Sequence, residues 1–283
     1  MRNLQIFICG AVAVTAFAPF NLWWMSIVSL SYCLVLFYSQ SQRQGFKHGF
    51  IYGLGLFGCG ISWLFYSLYD FGQAPLLAAV LMVLALTAYL SLLPALCFYG
   101  CQKLARAQPT QQMLIFVVFW VLCEWSRGWL LTGFPWLSFG HSLVDSPLRG
   151  VLPVVGTFGG SALIALLAAL LAKTVIHTPV HSTRDPVIFI VVLCLCASLD
   201  AINWTQPAAR QPLKVAAVQA NIPEFMKWKR ELRGEIYQRH VDSSEAFLDH
   251  DVIVWPETAI PTFYHIAEKE FISDYAQQLS QHN

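Results

Sequence analysis

Long apolar stretches follow one another through the first 200 or so residues, and each is long enough to form a membrane-spanning helix. A span needs about 20 mostly apolar residues. Such stretches lie near residues 4–20, 22–40, 48–69, 75–101, 111–131, 151–175 and 186–204. Only 12% of the 283 residues are charged, about half the share in a soluble globular domain. The sequence therefore predicts an α-helical multi-span membrane domain over residues 1–204, with about seven transmembrane helices.

The Lys and Arg residues between these stretches are unevenly distributed. If the stretches alternate in direction, the basic residues on the side of the N-terminus are Arg2, Arg43, Lys47, Lys103, Arg106, Lys173 and Arg184. Only Arg127 and Arg149 fall on the other side. Because cytoplasmic loops carry the excess of Lys and Arg, we expect a cytoplasmic N-terminus. After seven spans, residues 205–283 would then lie outside the cytoplasm, which in a bacterial cell is the periplasm, with the spans in the inner membrane.

Cysteine and histidine spacing favours no metal site. All eight cysteines fall in the apolar part, where small packing residues are the simplest interpretation. His177 and His181 have helical spacing, but Pro179 lies between them and would break the helix that this spacing needs. HExxH and Walker motifs do not occur in the sequence. We predict no metal, no other cofactor and no nucleic-acid partner.

Residues 205–283 have the pattern of a β-α-β-α segment. Residues 213–222 and 251–255 are predicted strands, apolar enough to be buried on both faces. Residues 229–248 and 267–281 are predicted helices. Two parallel strands are fewer than an ordinary sheet contains. The pattern therefore predicts the start of an α/β domain whose remainder is absent from the 283 residues.

Glu257 is the candidate for acid–base chemistry. It comes directly after the second predicted strand, and ligands of α/β sheets bind beyond the carboxyl ends of the strands. There it could act as a general base. The alternative is a solvated carboxylate in a turn.

Two aromatic segments are candidates for ligand contact. Residues 124–140 are rich in Trp, Phe and Gly, and Glu124 and Arg127 could pair across one helical turn. The alternative for this loop is an interfacial aromatic belt without a ligand. Residues 226–230, Met-Lys-Trp-Lys-Arg, could contact lipid headgroups or a substrate, or could be a solvated helix start.

Several motifs, in order along the chain, resemble those of the apolipoprotein N-acyltransferase family of bacterial membrane enzymes. They are AFAPF at 16–20, GLGLFGCGISW at 53–63, RGW at 127–129 with TGFPW at 132–136, VQANIP at 218–223 with KW at 227–228, and WPETAIP at 255–261. The resemblance implies a periplasmic nitrilase-like domain over residues 205–283. It also implies transfer of an acyl chain from a phospholipid to the N-terminal diacylglyceryl-cysteine of a lipoprotein, through a thioester on the enzyme.

The same resemblance assigns roles to two residues. The family uses a Glu, a Lys and a Cys, and the WPE motif places the catalytic Glu on Glu257. Trp228 lies where the family has a functionally important tryptophan, which implies a substrate-binding role. The family's Lys and Cys fall beyond residue 283, so we expect a truncated chain that is inactive alone, and whether a C-terminal fragment complements it stays open.

Two other functions remain open. A non-catalytic membrane protein could bind lipid or lipoprotein through the retained loops. A transporter or channel would need charges buried within its spans, and these are scarce, since Glu124, Arg127 and Asp200 lie near predicted span ends.

Overall fold

The computed structural model describes residues 1–37, 41–104, 109–176, 184–206 and 212–280. Predicted connections at 40–47, 102–112 and 177–186 fall partly outside this range, as do Arg106, His177 and His181. The chain divides into two compact units, Met1–Thr205 and Gln206–Asn283.

The first unit is a bundle of α-helices. The long helices among its described residues are Arg2–Ala13 (α1), Trp24–Phe37 (α2), Gln42–Gly60 (α3), Leu76–Leu104 (α5), Pro109–Arg127 (α6), Leu152–Ile176 (α7) and Arg184–Ser198 (α8), with the short helix Leu64–Tyr66 (α4) after α3. The prediction of a mainly helical, membrane-type first part is therefore confirmed.

Fewer of these helices than predicted have the length and apolarity of a membrane span. Within the described residues, Leu76–Leu104 and Arg149–Ile176 meet both conditions. Arg43–Gly60 and Leu64–Phe71 meet them together, but a 59° bend separates the two segments. The predicted span 48–69 is thus bent rather than straight, and Arg2–Ala16 and Trp24–Phe37 are shorter apolar helices.

Glycines allow α1 and α3 to pack with their backbones in contact. A Cβ atom on Gly10 would overlap the carbonyl oxygen of Tyr52, and one on Gly55 would overlap the carbonyl oxygen of Phe7. In each case the obstacle is backbone, which cannot rotate away as a side chain can.

Replacing Gly55 with alanine should therefore push the two helices apart. We expect Gly55→Ala to lower the free energy of unfolding by about 1–3 kcal/mol, the usual cost of overpacking. Gly58→Ala is the matched control, because its Cβ would meet only Thr87 Cγ2, at 3.8 Å. Thermal unfolding of both variants in the same detergent measures the difference, and equal stabilities would contradict this packing.

A row of aromatic rings passes through the centre of the bundle to the loop after α6. Neighbouring ring centroids are 6.3 Å apart for Tyr52 and Phe98, 5.6 Å for Phe98 and Phe116, 5.7 Å for Phe116 and Trp120, and 5.1 Å for Trp120 and Phe139. The Phe139 side chain is fully buried. The loop is thus part of the core rather than a cover over it.

Ion pairs connect α8 to its neighbours near both of its ends. Lys173 Nζ lies 2.9 Å from Asp185 Oδ1 near the start of α8. Arg149 Nε lies 2.7 Å from Asp200 Oδ1 just beyond its end.

The second unit is a small α/β structure. Its elements are Val215–Ala217 (β1), Glu224–Lys227 (α9), Arg233–Ser244 (α10), Val252–Val254 (β2), Tyr264–Ala267 (α11) and Ser273–Ser280 (α12). The strands pair in parallel, with Val215 opposite Val252 and Ala217 opposite Val254.

Two predictions for this unit are wrong in detail. The strands have three residues each, and Val215, Val252 and Val254 are 55%, 41% and 48% exposed, so the strands are not buried on both faces. The reason is that the described residues of this unit leave one face of the sheet uncovered. The predicted helix 229–248 is α-helical only at Arg233–Ser244, since its first and last turns, Arg230–Leu232 and Glu245–Phe247, are 3₁₀, as is common at helix ends.

Candidate functional site

A cleft opens in the second unit beyond the carboxyl ends of its two parallel strands. Gln219 and Asn221 line it from the segment after β1, and Glu257 and Thr258 line it from the segment after β2. Its cavity volume is about 190 Å³. This is the edge of a parallel sheet at which ligands of α/β domains bind.

The backbone turns sharply at both sides of the cleft. Asn221 and Thr258 have φ angles of 52° and 54°, in the left-handed region that asparagine tolerates and a β-branched residue rarely adopts. Such conformations persist where the surrounding structure enforces them, often at binding or catalytic sites. At Thr258 the turn follows directly after Glu257.

Lys227 and Glu257 meet in the cleft, whereas Trp228 does not line it. Lys227 Nζ donates a hydrogen bond to the backbone oxygen of Glu257, at 3.2 Å. The Glu257 side chain is exposed. Trp228 is 62% exposed, and its indole nitrogen donates to Glu224 Oε1 at 3.1 Å. The structure therefore places an ammonium group beside the loop of Glu257 and presents Trp228 on the surface.

His240 also lines the cleft, and sequence reasoning missed it. Its side chain is 2% exposed, and its Nδ1 lies 2.8 Å from the backbone oxygen of Ile236. Its Nε2 has no hydrogen-bond partner in the described residues. The ring packs 5.1 Å from that of Trp255. The sequence of an amphipathic helix does not show whether a single histidine in it is buried or exposed.

The cleft can move a proton but holds no nucleophilic thiol of its own. The Glu257 carboxylate can accept a proton, and Lys227 brings positive charge. Residues 206–283 contain no cysteine. In the described residues no group of three or more His, Cys, Asp or Glu side chains could hold a metal ion.

A second polar centre lies inside the first unit, at Glu124. This side chain is 5% exposed and accepts hydrogen bonds from Trp120 Nε1 at 3.1 Å and from the backbone nitrogen of Phe139 at 3.0 Å. Ser161 Oγ on α7 donates to its other oxygen, while the backbone nitrogen of Gly140 donates to Ser161 Oγ at 2.8 Å. Glu124 thus binds the loop after α6 to α7.

The predicted pairing of Glu124 with Arg127 does not form. Arg127 is 4% exposed, donates from Nη2 to Ser138 Oγ at 2.9 Å, and stacks over the Phe57 ring at 5.2 Å. Glu124 already accepts hydrogen bonds from the loop and from α7, so the two side chains bind different partners. Both side chains therefore hold the loop in place.

Comparison with known proteins places this architecture in one family. A model of the family described as Apolipoprotein N-acyltransferase N-terminal domain matches residues 9–170. A protein of Photobacterium profundum named apolipoprotein N-acyltransferase is 35% identical to this chain, and the match covers 89% of this chain and 48% of the relative. A protein of the same name from Nitrosomonas europaea is 37% identical, and the match covers 98% of this chain and 55% of the relative. The relative from Methylococcus capsulatus is 33% identical over 100% of this chain and 56% of its own length.

The chain spans about half the length of the curated relatives that it matches. The match to the family model covers more than half of the 283 residues. The chain therefore belongs to the family of the apolipoprotein N-acyltransferase N-terminal domain.

Proposed function

We propose that this chain provides the membrane domain and part of the catalytic domain of an apolipoprotein N-acyltransferase. In this proposal, residues 1–204 are the transmembrane domain and residues 205–283 begin a periplasmic nitrilase-like domain. The acyl donor is a phospholipid, and the acceptor is the N-terminal diacylglyceryl-cysteine of a lipoprotein. The observation that carries the proposal is the position of Glu257, past the end of β2 in a cleft beside Lys227, in a chain of this family.

Glu257 is the proposed general base of the first half-reaction. It takes the proton of a cysteine thiol, and the thiolate attacks the ester carbonyl of the phospholipid. The lysophospholipid leaves with that proton, and a thioester remains on the enzyme. The lipoprotein's α-amino group then attacks the thioester, losing a proton to Glu257 as the amide forms, and the thiolate is released.

The thiol of this reaction has to come from outside residues 206–283, which contain no cysteine. We propose that a C-terminal segment, joined or separate, contributes the thiol and a lysine and completes the sheet. Trp228 is the proposed contact for the lipid substrate, since its indole is largely exposed and such rings favour the boundary between water and lipid.

Co-expression tests this function. Residues 1–283 would be produced with the C-terminal half of the Nitrosomonas europaea relative in cells depleted of their own acyltransferase, and the lipoproteins analysed by mass spectrometry. We expect triacylated lipoproteins only when both halves are present. If both halves accumulate and co-purify but no acylation occurs, the proposed activity is wrong.

The alternative is that the chain binds lipid or lipoprotein without catalysis. The largely exposed indole of Trp228 would serve such binding without any chemistry. Co-expression separates the two, because a binding protein would gain no activity from the second half.

We further propose seven spans in the inner membrane, with a cytoplasmic N-terminus. The distribution of Lys and Arg supports this orientation. Alkaline phosphatase, which is active only outside the cytoplasm, should be active when fused after residue 214 and inactive when fused after Arg43 or Arg184. The opposite pattern of activities would contradict the topology.

A further inference from the structure

Glu257 lies just beyond the point where the strand pairing of the second unit ends. The last paired residue of β2 is Val254, whose backbone oxygen accepts a hydrogen bond from the Val218 nitrogen at 2.9 Å. Trp255 is the next residue, and Pro256 separates it from Glu257. The position of the carboxylate therefore depends on what holds Trp255, the first residue outside the sheet.

Ser244, the last residue of α10, binds the indole of Trp255. The Trp255 indole nitrogen donates a hydrogen bond to Ser244 Oγ at 2.8 Å. The Ser244 hydroxyl itself donates to the backbone oxygen of His240 at 2.7 Å, and the Tyr275 hydroxyl also interacts with Ser244. Ser244 is 0% exposed. Because its one proton is directed at the helix backbone, its oxygen is left to accept the indole N–H.

Aromatic rings pack against the same indole. The centroid of the His240 ring lies 5.1 Å from that of Trp255, and those of Tyr275 and Phe271 lie 5.7 and 6.0 Å from it. A carbonyl oxygen can only accept, so His240 Nδ1, 2.8 Å from the backbone oxygen of Ile236, is the nitrogen that donates there. This bond fixes the plane of the imidazole that covers Trp255.

The short segment from Trp255 to Glu257 is stiff. The ring of Pro256 fixes its own φ angle near −65°. The Ala259 nitrogen donates to the Pro256 oxygen at 3.1 Å, and Thr258 has a φ angle of 54°. A displacement of the Trp255 ring would therefore pass to the Glu257 carboxylate rather than be absorbed between them.

We propose that Ser244 is a positioning residue for Glu257: by accepting the indole N–H of Trp255, it fixes the segment from which the carboxylate reaches its substrate. Ser244 is not one of the described residues that line the cleft, so it acts through Trp255, and the His240 ring supports it. The inference rests on the proposed function, in which Glu257 is the general base.

The test compares Ser244→Ala with Ser243→Ala in the enzyme complemented by the C-terminal half. Ser243 Oγ donates to the Arg239 oxygen at 2.7 Å, so both variants lose the same kind of bond to α10, but Ser244 is the one that accepts the indole N–H. A displacement of about 1 Å can slow a reaction about 100-fold. Ser244→Ala should therefore lower the maximal single-turnover rate of thioester formation about 10- to 100-fold, without changing the half-saturating phospholipid concentration. Ser243→Ala should react at a near-native rate.

The Glu257→Gln background separates positioning from a general loss of structure. A residue that acts only through the carboxylate has nothing to position once the carboxylate is an amide. Ser244→Ala should therefore change the residual rate of Glu257→Gln by less than about twofold, whereas independent effects would multiply. The proposal is overturned if Ser244→Ala reacts as fast as Ser243→Ala, or if it loses the same factor in both backgrounds.

Hydrogen exchange of the 283-residue chain in detergent provides a readout that needs no activity. Backbone amides of residues 257–262 should exchange faster in Ser244→Ala than in Ser243→Ala, because the segment loses its anchor at Trp255. If the complemented enzyme of unaltered sequence transfers no acyl chain, the proposed function fails. Equal exchange in the two variants would then overturn the anchoring by Ser244 as well, and faster exchange in Ser244→Ala would support it.

Discussion

A polypeptide restricted to residues 1–283 should leave lipoproteins diacylated in cells depleted of their own acyltransferase. Glu257 can accept a proton, but no thiol lies in residues 206–283 to release one or to carry the acyl group. The eight cysteines of the chain all lie within helices of the first unit, and Cys9, Cys33, Cys97 and Cys101 are buried there. We expect triacylation below detection, compared with full triacylation by a complete relative.

The measurement is mass spectrometry of a purified lipoprotein, with immunoblotting to show that residues 1–283 accumulate in the membrane. Hydroxylamine-sensitive acylation of the polypeptide, a direct signature of a thioester, should be absent as well. If triacylated lipoproteins appear without any complementing fragment, the proposed covalent mechanism does not apply to this chain.

Glu257→Gln should abolish most of the activity of the complemented enzyme. Glutamine preserves the size and shape of the side chain, but an amide NH₂ group replaces one carboxylate oxygen, so the side chain cannot take a proton from a thiol. Loss of a general base lowers the rate by about 10²–10⁴-fold. The rate of N-acylation of a diacylated lipopeptide, measured at saturating phospholipid, gives this factor.

Glu231→Gln provides the control, since Glu231 is an exposed carboxylate of the same unit that does not line the cleft. It should retain near-native rates. A Glu257→Gln enzyme that acylates at the rate of this control would show that another group acts as the base.

The helices of the first unit could be predicted because apolar length is a strong signal, but their ends could not. The apolar stretch 4–20 continues past Ala16, whereas the helical backbone stops there and Phe17 is extended. Similarly, 48–69 reads as one span, yet the chain bends after Gly60, where the glycine accommodates Leu137 from a loop more than 70 residues away. Contacts between segments so far apart leave no pattern in the local sequence.

The candidate sites also contain some residues that local sequence could predict and others that it could not. Glu257 could be located from a strand followed by Pro and Glu, because the carboxyl end of a strand is a feature of local sequence. The contribution of His240 could not be predicted, since it depends on how α10 packs against Trp255. A cavity of the first unit that Trp63, Trp136 and Asp145 help to line depends on three separate segments meeting, which only the folded bundle shows.

The hydrogen bonds of Glu124 have a consequence for the order in which the chain assembles. During synthesis Glu124 is made before Phe139, and Ser161 is made last of the three. Until α7 docks, one carboxylate oxygen lacks the hydroxyl donor of Ser161, and Gly140 lacks its acceptor. A buried carboxyl group without its hydrogen-bond donors is costly, so the nascent loop cannot settle early. Its final shape awaits α7, and the cavity that it lines with Trp136 is therefore a late product of biogenesis.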